Sequence, residues 1–465
     1  AGGKKYSSTK LVVMSATLHA GLFQGYFGVP EPPIHVGGKR FPVEVLYLDD
    51  LGRGALGAGK RARQLAARLR EESHERSLGG GGGRPPKLTA AHAELAVAVV
   101  ERVAEPGRCV LCFVPGQSEM EEVADAVDKH LPAGVRAGVK VHVLHSLVPP
   151  EQQDEAMALD PECCKLVLAT NVAESSLTLP DVTHVVDLCL TRAVAWSDKQ
   201  RASQVLVRRA SKASCAQRAG RAGRVAPGTA VRLVSESEFH AFDEYEVPEM
   251  LSSSLEGTVL QAKVLLGGME TPVPELLGRA LEPPPRARVL DALRDLAELG
   301  ALGPGEDGAV TAMGRAASAL PLDVRLARCV VMAAMCGCAA DAAVVACALG
   351  AQDPFSLPAS AWAKSAAEHR AQVKASFEAR CRLDDGLGSE VLATRAALLE
   401  WLAGPRTARW AGERGLNARR LGGLAQVVRA CASRLADGCR RAGVKLAEGD
   451  GRALEWLPRR PRPRR

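Results

Sequence analysis

From Ala210 to Gly228 the chain reads ASKASCAQRAGRAGRVAPG, with Arg218, Arg221 and Arg224 at every third position and Gly220 and Gly223 between them. Two readings fit these residue types. A run of Arg, Gly and Ala is commonly a solvated helix face. It also suits a phosphate clamp, because the guanidinium is a planar, permanently charged fork that matches phosphate oxygens in pairs. Glycine and alanine between the forks let backbone and ligand approach closely. On a helix, residues three apart lie on nearly one face. Arg221 and Arg224 then address one anion, with Gln217 one turn before Arg221 to hold a water or a phosphate oxygen.

The surrounding pattern says what would carry such a clamp. KLVVMSATL opens as a buried parallel strand, Leu11 to Met14, that ends on small polar residues. A basic, glycine-punctuated region containing LGGGGGRPPK follows and reads as a flexible connector. From Ala90 the order becomes regular: helix HAELAVAVVERVA, strand CVLCFVPG, helix SEMEEVADAVDKHL, strand VKVHVLH, helix start PPEQQDEAM, strand KLVLATN, then VTHVVDLCL and TAVRLVS. Strands alternating with helices predict an α/β domain with a parallel sheet covered on both faces. Ligands of such sheets bind beyond the carboxyl ends of the strands. PGQSE, HSLVPPEQQ, TNVAESS and the arginine segment all follow strands or lie just past the sheet in this reading. After about residue 240 the pattern turns helical. ARVLDALRDLAELGAL has helical apolar spacing stopped by Gly300, GAVTAMG reads as a short wing, and LPLDVRLARCVVMAAM begins a helical bundle.

Bulk composition sets bounds. A chain of 465 residues implies roughly three or four domains. The net charge of +7 suits nucleic acid or another polyanion. The thirteen cysteines are scattered, and Cys109 and Cys112 sit in a strand pattern that points them to opposite faces. No second pair stands at zinc spacing, so no metal site is expected. Unpaired cysteines in apolar surroundings fit a reducing compartment, cytoplasmic or nuclear. The N-terminal residues have no signal-peptide apolar region. CVVMAAMCGCAADAAVVACALG is interrupted by Asp341 and reads as a buried helical pair, so no membrane partner is expected. The C-terminal LPRRPRPRR reads as a disordered basic tail.

Several of these stretches, taken in order, resemble the DEAH-box, superfamily 2 RNA helicases, from late in the first RecA-like lobe onward. SAT, Ser15 to Thr17, looks like motif III, which couples the lobes; VLCFVPGQSEMEEV looks like motif IV; ATNVAESSLT followed by VTHVVD looks like motif V; QRAGRAGR is motif VI letter for letter. LAELGAL, TAMGRAASALPLD and DPFSLP resemble the winged-helix and ratchet-like helical domains of that family. The resemblance covers roughly residues 10–430. VPEMLSSSL and SLTLPDVTHVVDLCLTR look most like the branch that bears Tudor domains and works in piRNA pathways, although no Tudor-like segment is evident.

The resemblance implies a division: 1–50 the end of the first RecA-like lobe, 51–89 a basic connector, 90–240 the second lobe, 241–315 a winged helix, 316–440 a helical bundle, and 441–465 a basic tail. It makes Arg221 and Arg224 arginine fingers toward the γ-phosphate held by the other lobe, with Gln217 orienting the attacking water or a phosphate oxygen. Gly220 and Gly223 keep that segment slim, and Arg218 either joins them or pairs with a carboxylate of its own lobe. Thr178 falls near the nucleotide ribose. Met157 stands where many members stack an aromatic residue on adenine, which implies weaker purine selectivity. Thr170, Asn171 and Ser176 match RNA-backbone positions, as do His145 and Ser146; for Ser176 helix capping is the competing role. Glu174 reads as a structural or cleft-coupling carboxylate. TRAVAWSDKQRASQVLVRRASKAS predicts a hairpin resembling the family's strand separator, with Trp196 and Lys199 near its tip; Trp196 either stacks on a base or packs beneath the hairpin.

There are departures. No D-E-A-H occurs, Pro180 stands where some members carry a ribose-contacting Asp, and GALGAGKRARQL is read as departing from G-x-x-x-x-G-K-[ST] in order and spacing, with no strand leading into it. The chain is therefore expected to be the C-terminal portion of an ATP-dependent RNA helicase. ATP with Mg²⁺ would be ligated mainly by a first lobe outside these residues. RNA would be bound through sugar and phosphate without sequence preference, with protein adaptors as further partners. These residues alone should be inactive. The alternative is an RNA-binding or scaffolding protein with no complete ATP site.

Overall fold

The computed structural model describes residues 10–14, 20–32, 34, 41–78, 86–145, 148, 150–175, 179–197, 199–266, 271–355 and 366–443. They divide into two compact units, one holding the residues up to Ala195 together with Gln204–Val247, the other Trp196–Ser203 and the residues from Pro248 onward.

The first unit is built on six strands: β1 (Val43–Leu46), β2 (Cys109–Phe113), β3 (Val139–Leu144), β4 (Cys164–Ala169), β5 (Val182–Asp187) and β8 (Gly228–Arg232), all parallel in the order β1-β8-β5-β2-β4-β3. β6 (Leu190–Ser197) and β7 (Ala202–Arg209) pair as a separate hairpin. The helices are α1 (Ala20–Phe27), α2 (Leu48–Arg53), α3 (Lys60–Leu78), α4 (Ala90–Val103), α5 (Gln117–His130), α6 (Ala133–Arg136), α7 (Pro150–Met157), α8 (Val172–Ser175), α9 (Lys212–Ala219) and α10 (Glu236–His240). β2 is apolar at every position because helices cover both faces; all of β2 and β4 is buried, Lys165 of β4 included. Cys109, Leu111 and Phe113 face a cluster with Ala156 of α7, Ala173 of α8 and Ala219 of α9. Alternation sends Cys112 to the opposite face.

In the second unit, α11 (Glu249–Ser252), α12 (Glu256–Leu265), α13 (Val273–Leu277) and α14 (Arg286–Glu298) pack around Val259, Leu260, Leu293 and Leu296. Gly300, at φ +68, reverses the chain after α14 in a conformation that costs glycine no steric strain. The expected wing is a single antiparallel bridge, Leu302 to Val310. Its TAMG portion belongs instead to the start of α15 (Ala312–Ser318), where Thr311 Oγ1 accepts the Gly314 N–H at 3.0 Å. Then come α16 (Val324–Met335), α17 (Ala339–Leu349), α18 (Ala366–Asp384), α19 (Glu390–Ala403), α20 (Ala408–Gly412) and α21 (Ala418–Ala442), around a core that includes Val330, Ala343, Leu398 and Leu435. Among the described residues no helix is long and apolar enough to cross a membrane.

Five expectations need correction. Leu11 to Met14 form no strand: Leu11 is 71% and Met14 85% exposed, an apolar run without a pairing neighbour. Region 51–89 is not a connector throughout, because α3 buries Ala66 and Leu69. The sheet does not begin after residue 90, since β1 joins its edge by pairing Val43–Leu46 with Gly228–Val231. α21 runs past residue 440 into the span read as tail. Finally, Gly54, Gly59 and Lys60 do have phosphate-loop spacing; the departures are Arg61 in place of Ser or Thr, and the position of these residues from the end of α2 to the start of α3 rather than between a strand and a helix. The glycine run lies outside the described residues, as do residues 444–465.

Candidate nucleotide and RNA site

The arginine segment starts on α9, whose first amides are all satisfied. Ser211 Oγ accepts the Ser214 N–H at 3.1 Å, Glu246 Oε1 accepts the Ser211 N–H at 3.0 Å, and the carbonyls of Asp243 and Glu244 accept those of Lys212 and Ala213 at 2.8 and 3.0 Å. Residues that leave the sheet unit thus fix the start of the helix bearing Gln217 and Arg218.

Arg218 is committed to its own lobe. It is 1% exposed; its Nε donates to Glu174 Oε1 at 2.7 Å, and its Nη1 to Asp187 Oδ1 at 2.9 Å and the Leu190 carbonyl at 3.1 Å. Its guanidinium lies 5.2 Å from the Phe113 ring centre. Burial by itself lowers its pKa, but Asp187 and Glu174 outweigh that and hold it above the ordinary arginine value. Ser214 Oγ also donates to Glu174, at 2.9 Å. Glu174 therefore ties α8 to α9 as a structural carboxylate.

Beyond Arg218 the geometry departs from one continuous helical face. α9 ends at Ala219, and tight turns follow, with the Arg221 N–H on the Arg218 carbonyl and the Ala222 N–H on that of Ala219. Arg221 is buried, 5% exposed, whereas Arg224 is exposed. The segment runs back along the sheet, from Arg218 at the carboxyl end of β5 to Gly223 at the start of β1. There the Phe41 N–H donates to the Gly223 carbonyl at 2.9 Å. A Cβ on Gly223 would stand 2.6 Å from both Phe41 O and Val43 Cγ2. The packing of its own lobe alone requires this residue to be small, and the segment does not lie past the carboxyl ends.

Met157 ends α7 and packs against the cluster that contains Leu179, Ala219 and Ala222. The structure thus brings Met157 and the arginine turn, with Gly220 at its start, onto one face of the sheet. His145, Thr170 and Asn171 gather elsewhere, at the carboxyl ends of β3 and β4, where Leu144 and Ala169 are in register. Thr170 is buried at 8% exposure, Asn171 is exposed, and His145 is half-buried. Gln153 Nε2 donates to the Val148 carbonyl at 2.8 Å and holds this loop to α7. Trp196 is half-buried with the Arg288 guanidinium 5.3 Å from its ring centre, which favours packing over base stacking; Lys199 is exposed at the turn. Ser15, Thr17, Ser146, Ser176 and Thr178 lie outside the described residues.

Sequence reasoning passed over three charged positions. Arg192 Nη2 meets Glu119 Oε2 at 3.1 Å beside the start of α5. Glu246 caps α9, and Lys165 sits buried in β4. Only Lys165 left a signal, a lone cation within an apolar strand. Among the described residues one group has clustered potential metal donors, Asp187, Cys189 and Cys215, within 4.8 Å of one another. It does not suit a cation. Arg218 already neutralises Asp187, and burial, followed by the hydrogen bond with Cys215, pushes the Cys189 thiol well up.

The helicase conserved C-terminal domain matches residues 92–226, the winged-helix part of the helicase associated domain matches 292–322, and its ratchet-like part matches 323–393. A putative DEAH-box ATP-dependent helicase of Mycosarcoma maydis is 32% identical over 86% of this chain and 27% of its own length. The ATP-dependent RNA helicase TDRD9 of Homo sapiens is 32% identical over 75% of this chain and 26% of its own. The crystal structure of the E. coli DExH-box NTPase HrpB superposes with a TM-score of 0.58 at 27% identity, over 81% of this chain and 41% of that one. The chain belongs to the DEAH-box, superfamily 2 helicases and carries their C-terminal helicase and helicase-associated domains. It spans about a quarter of the length of the Mycosarcoma and human relatives.

Proposed function

We propose that this chain supplies the second lobe and accessory domains of an ATP-dependent RNA helicase, in which a first lobe holds ATP and Mg²⁺. The observation that carries the reading is the shared sheet face of Met157 and the arginine turn, with Arg218 already neutralised within the lobe. Arg221 and Arg224 are then the groups that meet the γ-phosphate. Water attacks that phosphorus, and the electron pair of the breaking bond to the bridging oxygen stays with ADP. Charge builds on the phosphoryl oxygens, where a fixed guanidinium is worth more than in the ground state. Gln217 orients the water. Thr170, Asn171 and His145 lie toward RNA sugar and phosphate, contacts that allow movement without reading bases. In a protein with both lobes, Arg221→Ala and Arg224→Ala should each lower RNA-stimulated turnover by about two to three orders of magnitude, with no rescue by lysine. Arg221 is buried, so its loss should also lower stability, whereas loss of the exposed Arg224 should not. Parental turnover in both alanine variants overturns the phosphate-clamp reading of these arginines.

A further inference from the structure

We propose that Lys165 is a positioning residue for Met157 and, through it, for the purine ring of a nucleoside triphosphate; the purine half of this inference rests on the nucleotide reading above. Lys165 is the second residue of β4 and is 1% exposed. It lies on the strand face of Val167 and Ala169, the face that α7 covers. Its ammonium donates to the Ala156 carbonyl at 3.1 Å and to the Ala158 carbonyl at 2.6 Å. These are the residues on either side of Met157. Asp181 Oδ2 stands 2.8 Å from the same nitrogen as a buried counter-ion, outside hydrogen-bonding geometry.

The last carbonyls of a helix lack partners within it and carry partial negative charge. Lys165 holds two of them where α7 ends. Stability alone does not call for such a pair, since apolar side chains of similar volume often replace a buried ion pair without loss. An apolar pair cannot, however, fix the peptide planes on both sides of one side chain. That matters most for methionine, which has three rotatable bonds and no ring to offer a purine. Anchoring its backbone narrows the space its sulfur and methyl group explore.

The test is a joint Lys165→Met, Asp181→Leu variant, which leaves no lone buried charge. Methyl-¹³C spectra of this chain, with the Met157 resonance assigned by Met157→Ala, read the positioning without nucleotide. The Met157 methyl should move toward its motionally averaged position while the other methionines stay. In the protein with both lobes, KM for ATP should rise about ten-fold at unchanged kcat, the scale of a disturbed apolar pocket contact. Discrimination of ATP from CTP should narrow. An unmoved methyl resonance overturns the proposal, and so does an unmoved KM when Met157→Ala itself raises KM. If Met157→Ala leaves KM alone, the purine reading of Met157 fails, and the methyl spectrum still decides what Lys165 positions. Should the first variant not fold, Lys165→Gln with Asp181→Asn keeps a shorter, neutral NH₂ donor toward the carbonyls and should give an intermediate methyl shift; no shift there overturns the proposal equally.

Discussion

Arg218 and Arg224 belong to one repeat and live in opposite surroundings. Spacing alone treats the three arginines alike. They are separated by the helix end at Ala219 and by carboxylates 44 and 31 residues away in sequence, Glu174 and Asp187, which no local pattern reveals. The motif was therefore legible as a cluster, but Arg218 stayed open between joining the other two and pairing within its lobe, and the role of Gly223 was hidden because its neighbour, Phe41, is distant in the chain. The burial of Arg218 gives a prediction. Arg218→Ala leaves Asp187, at 1% exposure, without its buried counter-ion, and leaves half-buried Glu174 with the Ser214 hydroxyl. Removing one partner of a buried network of this kind costs about 3–5 kcal/mol. Urea unfolding should show that loss, and an unchanged midpoint would mean that the carboxylates find water instead. Lysine should restore little, since one ammonium cannot reproduce the fork that serves Glu174, Asp187 and the Leu190 carbonyl together.

Among the elements, the sequence was clearest where apolar runs alternate with glycine- and proline-punctuated turns. That pattern marks β2 to β5, β8 and the helices between them. It misled at both extremes. Leu11 to Met14 are apolar enough for a strand and have nothing to pair with, while β1 is four residues long, carries Glu44, and pairs with a strand far along the chain. α3 is rich in arginine and glutamate, so its buried Ala66 and Leu69 were lost among the charges. Two strands also carry a pH signature. His142 on β3 has its pKa lowered by burial first and then by Lys165; His184 on β5 is lowered by burial and then by Arg108. A histidine of lowered pKa takes up protons more readily unfolded than folded. Its stability contribution is full above the unfolded value of about 6.5 and is lost as pH falls below it. The melting temperature should accordingly drop between pH 7.5 and 5.5. A variant with both His142→Asn and His184→Asn should lose part of that slope, and an identical slope would assign the drop to other groups.

On the scale of the whole molecule, family likeness and physical sheet do not share a boundary. The helicase C-terminal match begins at residue 92, yet the sheet of that lobe has its edge strand at Val43–Leu46. β1 closes one side of β8, and α2 and α3 seat Leu48, Leu51 and Leu69 at 2%, 1% and 1% exposure. A recombinant piece started at Ala90 would therefore present a bare β8 edge beside the apolar seats those leucines vacate. An unpaired edge is a template for another chain. Such a piece should leave the cell lysate with the pellet or elute as large oligomers on gel filtration, where one started at Phe41 elutes at its monomer volume. The first forty or so residues of that longer piece act as a solubility cover, sewn onto the lobe from the far side of a glycine run.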